Sequence, residues 1–506
     1  AWGTLRRERL VALGQCYALL AVGFATLAVP LGLSANATAC VFALEGAALA
    51  WLGLRQQRWL PQVTGLALQV LAGVSYLVGI KAWQVEAMPI FNAAFMGALL
   101  IAVAGWASAW AYRRRGQAAP ALAYYLWALA WWCGAGLHQI EGYVEPDAVA
   151  VDWVLGFVAL TGWLAAEVHR RAPARVLAGT SLLAIAMAVP LALVQDMSHQ
   201  HPFGGHGLVA WALFALLGLR SLVCLRDGGD ARHAPFAAWA QFCWWIVWAV
   251  TLTLSALWLA GHLGLGDGWH WLLVAAPWLV LAAISILAWP LLRFPVGERF
   301  DALRLPLQVA VLLLIAAWWL GALMSSGGSS PLPWLPLVNP LDLAQVAAMV
   351  LAVQWVRSPA LAAWTGARRL LLPAAAFVLI TTITLRGVHQ LGGVAWDSEL
   401  LGASLAQTSL TVVWSILGVS GWIIGSRRGR RGLWLAGALL MAVVLAKLVL
   451  VDRQHLGNLL GIGSFIAYGL LCTLVGYLAP APPRDATAAA DAREDAHGDE
   501  RAEVGA

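Results

Sequence analysis

The sequence predicts an all-α, polytopic membrane protein, and two observations predict it. Of the 506 residues, 61% are apolar and only 11% are charged, whereas soluble domains are about 25% charged. The apolar residues come in charge-poor runs of about twenty, the length that a helix needs to cross roughly 30 Å of hydrocarbon. The composition therefore excludes a water-soluble enzyme.

Sixteen candidate spans result when the chain is divided at its polar or Pro/Gly-rich breaks. If the N-terminus is inside, 27 of the 31 Lys and Arg residues fall on one side, as the positive-inside rule requires. This pattern predicts a bacterial inner (plasma) membrane protein with both termini in the cytoplasm. The spans are 10–33, 35–54, 60–80, 90–112, 119–138, 149–168, 174–194, 206–225, 235–261, 270–290, 303–324, 341–356, 368–385, 404–425, 431–451 and 459–479.

The placement of the basic residues and of the cysteines argues against three further classes of protein. The basic residues occur in small groups along the whole chain rather than in one patch, which argues against nucleic-acid binding. The six cysteines all lie within apolar runs, so neither a disulfide framework nor a zinc finger is indicated.

The two ends of the chain have compositions of their own. The apolar stretch 10–33 follows three arginines but is too long for a signal peptide, so we take it as the first span. The chain begins with Ala rather than Met, which leaves open a fragment or a lost start. Residues 480–506 are rich in Ala, Asp and Glu and are predicted to form a disordered acidic cytoplasmic tail.

Three short matches at an offset near 250 residues predict an internal duplication. Because each half would hold eight spans, the repeat is parallel, with one half at 1–225 and the other at 226–479. Chance similarity between Leu/Ala-rich helices is the alternative. The matches pair Pro89–Asn92 with Pro336–Asn339, His138-Gln139 with His389-Gln390, and Asp196/His199 with Asp452/His455.

A His-Gln pair followed by two acids ends a helix on the outer side of each half. Imidazole and carboxylate groups together bind divalent metals or transfer protons near neutral pH. The candidate catalytic residues are therefore His138, Glu145, Asp147, His389, Asp397 and Glu399. A divalent metal is the candidate cofactor, and the predicted periplasmic rim of the site contains Asp196, His199 and His201. Helix capping and interfacial solvation are the alternative explanation for these polar groups.

Glu45 lies in the middle of the second span, where a lone charge costs about 2.5–3.5 kcal/mol. We expect its side chain to face the bundle interior and to pair with Lys447 or Asp452 near the end of the fifteenth span. Snorkelling towards the headgroups is the alternative for Lys447.

Thirty tryptophans are present. Indole rings concentrate at the level of the lipid headgroups, so anchoring is their ordinary role. A Trp-lined cleft also suits a lipid-linked or glycan ligand, and Trp131 and Trp132 lie near the predicted outer site.

Several segments resemble a large bacterial family of multi-spanning membrane proteins known as domain of unknown function 2339. The resemblance covers residues 5–483, and family members usually carry an additional polar N-terminal segment and further helices, which this sequence does not contain. It implies an inner-membrane location and a role for Glu45, Lys447 and Asp452, but no activity. The segments are residues 42–55 (FALEGAALAWLGLR), 339–343 (NPLDL), 447–452 (KLVLVD) and 475–480 (VGYLAP) followed by Pro482-Pro483.

Three functions are compatible with these features. An envelope-associated binding or scaffolding protein comes first, because few ionisable groups lie within the spans. A transferase acting on a lipid-linked or glycan substrate at the outer leaflet would use the His and acid loops. A transporter comes third, since little charge is available for a polar path across the membrane.

Overall fold

The computed structural model describes residues 35–79, 88–228, 233–358 and 365–452, together with residues 17, 466, 468–473 and 477. Within these residues every regular element is helical, which confirms the all-α prediction. The first eight helices are α1 Ala35–Gln56, α2 Trp59–Gly79, α3 Ala93–Arg114, α4 Ala118–Tyr143, α5 Asp147–Arg171, α6 Arg175–Ala186, α7 Ala188–His199 and α8 Gly207–Asp227. The others are α9 Ala234–His262, α10 Asp267–Leu287, α11 Trp289–Arg293, α12 Arg304–Ala322, α13 Pro340–Val356, α14 Thr365–Gly392, α15 Ser404–Arg427 and α16 Arg431–Lys447.

Twelve helical segments in the described part of the chain are long and apolar enough to cross a membrane. The prediction of a multi-spanning membrane protein is therefore confirmed. The first and last predicted spans, 10–33 and 459–479, lie largely outside the described residues, as does the tail 480–506. The number sixteen thus stays a prediction.

The chain divides into two compact units. Unit 1 contains residues 1–251 and 295–301, and unit 2 contains residues 252–294 and 302–506, so the boundary falls within α9. In unit 1, α1 packs against α2 and α3, α3 packs against α4, and α5 packs against α6, α7 and α8. In unit 2, α10 packs against α12 and α13, and contacts then link α13 to α14, α14 to α15, and α15 to α16.

Small residues bring α1 and α2 into close contact. A Cβ atom on Gly65 would lie 2.6 Å from the carbonyl oxygen of Gly46, so only glycine fits at this crossing. The buried Gln69 side chain donates a 3.0 Å hydrogen bond to the carbonyl oxygen of Ala43. Close backbone approach through small residues is a common way to pack helices within lipid, where the hydrophobic effect does not drive association.

The predicted span 174–194 is interrupted in the structure. Helix α6 ends at Ala186 and α7 begins at Ala188, four and two residues before Pro190. A proline ring clashes with the carbonyl group four residues earlier and its nitrogen donates no hydrogen bond, which accounts for a break at this point.

Candidate functional site

Glu45 does not take the place that the sequence predicted. Its side chain lies on the exposed side of α1, and no hydrogen bond or ion pair joins it to any of the described residues. The buried side of α1 includes the small residues Ala43, Gly46 and Ala50, which recur with helical spacing. The expectation that Glu45 faces the bundle interior is therefore wrong for the part of the chain that the structure describes.

Lys447 lies at the end of α16 and bonds to α15. Its Nζ atom donates hydrogen bonds to the Gln407 carbonyl oxygen at 3.0 Å and to Thr411 Oγ1 at 2.7 Å. Asp452 ends the π-helical segment Leu448–Asp452 that follows α16. Lys447 therefore ties two helices of unit 2 together.

The histidines and acids that were predicted on the outer side are exposed or bonded within their own loops. His138 is exposed on α4, and Glu145 and Asp147 are exposed at the turn into α5. His389 at the end of α14 is half-buried, with its Nδ1 atom 2.6 Å from the carbonyl oxygen of Val394 in its own loop.

Asp397 and Glu399 are also exposed, and Asp397 Oδ1 accepts a 2.9 Å hydrogen bond from the backbone N–H of Glu399. Among the described residues no three His, Cys, Asp or Glu side chains lie close enough together to hold a metal ion. The catalytic and metal-binding roles of the six residues thus remain predictions.

A buried carboxylate in unit 1, Asp152, connects α5, α7 and α8. It is 1% exposed. Its oxygens accept hydrogen bonds from Gln195 Nε2 at 2.6 Å and from the backbone N–H of His206 at 2.9 Å, and His199 Nε2 lies 3.4 Å away. Gln195 Oε1 in turn accepts from Trp211 Nε1 at 2.9 Å. One carboxylate therefore holds the loop between α7 and α8 against α5.

Of the predicted rim residues, His199 belongs to this network, while Asp196 and His201 lie half-buried in the same region. Sequence reasoning missed Asp152 and Gln195. The available signal was a single Asp six residues into an apolar helix, a position that requires polar partners once it is buried.

A second buried charge, Arg386, lies on α14 in unit 2 and is 0% exposed. Its Nη1 atom donates to Asp342 Oδ1 at 2.6 Å and to Gln345 Oε1 at 2.7 Å, both on α13. Its Nη2 atom donates to the Ala322 carbonyl oxygen at 2.6 Å, and Nε donates to the Ser325 carbonyl oxygen at 3.0 Å.

These bonds join three helices, because Ala322 is the last residue of α12 and its carbonyl group has no partner within that helix. Arg386 is one of the four basic residues that do not fall on the basic side of the predicted topology, and Asp342 belongs to the NPLDL segment, but no sequence pattern paired them. A lone arginine in an apolar helix was the signal, since a buried charge needs a partner.

The loops before α3 and α13 have the same local geometry. Asn92 and Asn339 cap these helices, accepting from the backbone N–H of Phe95 at 2.7 Å and of Asp342 at 2.9 Å. Two residues earlier, Ile90 has a φ of 66° and Leu337 a φ of 65°. A positive φ is rare for bulky side chains. The two loops therefore share an uncommon backbone conformation at the same position relative to the capping asparagine.

In each loop the strained N–H and the capping amide share one oxygen. The backbone N–H of Ile90 and Asn92 Nδ2 both donate to Gln139 Oε1, each at 2.9 Å. In unit 2, the N–H of Leu337 and Asn339 Nδ2 both donate to Asp342 Oδ2, at 3.2 and 2.5 Å.

A cavity of about 840 Å³ lies in unit 1 among α3, α4, α5 and α6. Its walls are mostly apolar, and two pairs of polar side chains within them bond to each other. Tyr125 and Thr180 share a hydrogen bond of 2.9 Å, and Trp132 Nε1 donates to Thr161 Oγ1 at 2.9 Å. The cavity therefore presents hydrocarbon to a ligand. Apolar wall residues include Trp106, Ala121, Leu129, Leu164, Val168 and Leu177.

Three basic side chains, Arg113, Arg175 and His233, also border the cavity, at the end where α3 finishes and α6 begins. We call these three residues the basic mouth. Arg113 Nη1 donates to the Ala172 carbonyl oxygen at 3.1 Å, and Nη2 donates to the Pro173 carbonyl oxygen. Arg175 is exposed.

Unit 2 has a smaller groove, of about 460 Å³, between α13 and α14. It is almost entirely apolar and includes Arg357 at one end. The other lining residues are Leu337, Val346, Met349, Val350, Val353, Gln354, Ala376, Leu379, Ile380 and Ile383.

Comparison with known proteins gives a family. No characterised protein and no solved structure matches the chain. A family described as "Predicted membrane protein (DUF2339)" matches residues 1–482 of the 506. The match covers nearly the whole chain, and the apolar helical segments are those expected of a membrane protein. The chain therefore belongs to this family of multi-spanning membrane proteins.

Proposed function

We propose that the protein is an integral membrane binding protein that holds a molecule with a long apolar chain in the cavity of unit 1. The observation that carries the proposal is the cavity itself, about 840 Å³ with apolar walls. Ligand pockets typically measure about 300–1,000 Å³.

Packing supports the proposal. Protein interiors are close-packed, and side chains that line an unfilled space lose dispersion contacts. A hydrocarbon chain would restore those contacts along Trp106, Leu129 and Leu164. Lipid is the abundant source of such chains around a membrane protein.

The lining of the two cavities supports the duplication suggested by the sequence. Aligning Asn92 with Asn339 shifts α3 by 247 residues, and aligning His138 with His389 shifts α4 by 251 residues. Under these shifts five wall residues of unit 1 coincide with five wall residues of unit 2. The pairs are Trp106/Val353, Trp110/Arg357, Tyr125/Ala376, Leu129/Ile380 and Trp132/Ile383.

The loops and the helix contacts support the same conclusion. The capped loops before α3 and α13 share a positive φ and a converging pair of hydrogen bonds. The helix α1 packs against α2 and α3 as α10 packs against α12 and α13. Both halves would thus have inherited an apolar cavity, which lies beside α3 and α4 in unit 1 and beside α13 and α14 in unit 2.

The proposed topology is sixteen spans in a bacterial inner membrane, with both termini and the basic mouth on the cytoplasmic side. Reporter fusions would measure it directly. We expect cytoplasmic signals after Arg115, Arg232 and Arg369, and periplasmic signals after Asp147, Asp267 and Ser326. A reversed signal at one site would mean that a span has been miscounted.

Filling the cavity should weaken binding. Leu164 lines the cavity and is 40% exposed, so Leu164→Trp adds volume there without disturbing a buried contact. We expect binding of a long-chain alkyl photocrosslinking probe to fall about tenfold or more. The indole ring would occupy space that the probe needs, and forcing both into the cavity would overpack it, at a cost of about 1–3 kcal/mol. Mass spectrometry of the labelled peptides would measure this.

Leu216→Trp is the matched control, since Leu216 on α8 is also exposed and does not line the cavity. Labelling should map to α3–α6 in the wild type and in this control. Equal labelling of both variants, or labelling spread evenly over the helices, would contradict the proposal.

A further inference from the structure

We infer that the occupant of this cavity is an anionic phospholipid of the surrounding bilayer, whose phosphate binds at the basic mouth. The inference rests on the proposed function, and it adds the chemical class of the ligand and the residues that recognise it. Arg113, Arg175 and His233 border the cavity at one end only, so the site is amphipathic along its length.

The charge at the mouth is not neutralised within the described residues. Neither Arg113 nor Arg175 has a carboxylate partner there. The neighbouring acid, Glu167, is already bound by Arg170 at 2.5 Å, Arg171 at 3.1 Å and Arg220 at 3.3 Å. Arg113 bonds only to neutral carbonyl oxygens at the mouth, which position its guanidinium group and leave its charge available to an anion.

Two further features lie at the basic mouth. Arg175 is the first residue of α6, and Ala174 caps this helix without a side-chain hydrogen bond. The first N–H groups of a helix favour negative charge. His233 Nδ1 is buried and has no hydrogen-bond partner among the described residues, and its ring lies 5.2 Å from that of His169. A phosphate oxygen would satisfy this nitrogen.

The position of the mouth fits a bilayer lipid. Arg113 ends the long apolar helix α3 and Arg175 begins α6, so the basic groups lie at the level where helices leave the hydrocarbon. The cavity extends from there along the helices to Trp132 and Thr161. A phospholipid would have its phosphate and its acyl chain at these two depths, whereas a free phosphate would leave the apolar part empty.

The test uses the full-length chain in nanodiscs of phosphatidylcholine containing phosphatidylglycerol with the same acyl chains. Native mass spectrometry counts the lipids that remain bound after release. We expect the wild type to retain phosphatidylglycerol in preference to phosphatidylcholine. Arg175→Gln and Arg113→Gln should each weaken phosphatidylglycerol binding about tenfold, because each removes a charge-assisted hydrogen bond.

Arg114→Gln is the matched control, since Arg114 is exposed, adjacent in sequence and absent from the cavity wall. An equal loss in this variant would overturn the inference, because it would indicate surface charge alone. Equal retention of both lipids, unaffected by Arg175→Gln, would also overturn it. In that case the photocrosslinking experiment with Leu164→Trp still tests the proposed function separately, because the alkyl probe has no charged group.

Discussion

Replacing Arg386 by Met is expected to lower the free energy of unfolding by about 3–5 kcal/mol, the usual cost of breaking a buried ion pair from one side. Arg386 and Asp342 are both 0% exposed. The substitution leaves the Asp342 carboxylate buried opposite an apolar group, and it removes the hydrogen bond from Arg386 Nη2 to the Ala322 carbonyl oxygen at the end of α12. The midpoint of thermal unfolding in detergent would report the loss.

The double variant Arg386→Met/Asp342→Leu separates the charge from the packing. Because it leaves no buried charge unpaired, we expect it to recover part of the lost stability, although Asn339 Nδ2 and the N–H of Leu337 then lose their acceptor. Arg428→Met, at an exposed position after α15, should change the midpoint little. A single variant as stable as the wild type would show that the ion pair does not hold the three helices.

Replacing Asp152 by Ala is expected to lower the free energy of unfolding by a similar amount. Gln195 Nε2 and the backbone N–H of His206 would lose their common acceptor, and each unsatisfied buried group costs about 1–3 kcal/mol. We expect a loss of about 2–6 kcal/mol, with the loop between α7 and α8 released first. Hydrogen exchange in residues 199–206 would detect the release before global unfolding.

Asp147→Ala provides the matched comparison, because Asp147 lies on the same helix but is exposed. The loss of stability in Asp152→Asn should lie between those of Asp152→Ala and Asp147→Ala. The amide keeps one acceptor oxygen but brings an N–H group towards the N–H of His206. If hydrogen exchange in residues 199–206 is unchanged in Asp152→Ala, the network does not hold the loop between α7 and α8.

Much of the fold could be predicted because it depends on local quantities. The length and apolarity of each run determine whether a helix crosses the membrane, and predicted spans such as 404–425 and 149–168 lie within the helices Ser404–Arg427 and Asp147–Arg171. The Pro-x-x-Asn segments marked helix starts, and both asparagines cap a helix in the structure.

The site residues were harder to predict, because a one-dimensional pattern does not state which helix a side chain meets. Glu45 illustrates this. Its depth in the span was evident from the sequence, but its direction depends on which side of α1 packs against α2, and the small residues Ala43, Gly46 and Ala50 decide that.

By itself the sequence determined the apolar helices and their approximate ends, because both depend on the hydration of residues that are near each other in the chain. Only the tertiary structure decided that Arg386 meets Asp342 across 44 residues, that Asp152 meets Gln195 across 43, and that four helices leave an apolar cavity beside a basic mouth. The physical reason is that buried charges and unfilled volume are properties of several packed helices together, and the energy of each depends on partners that no single segment specifies.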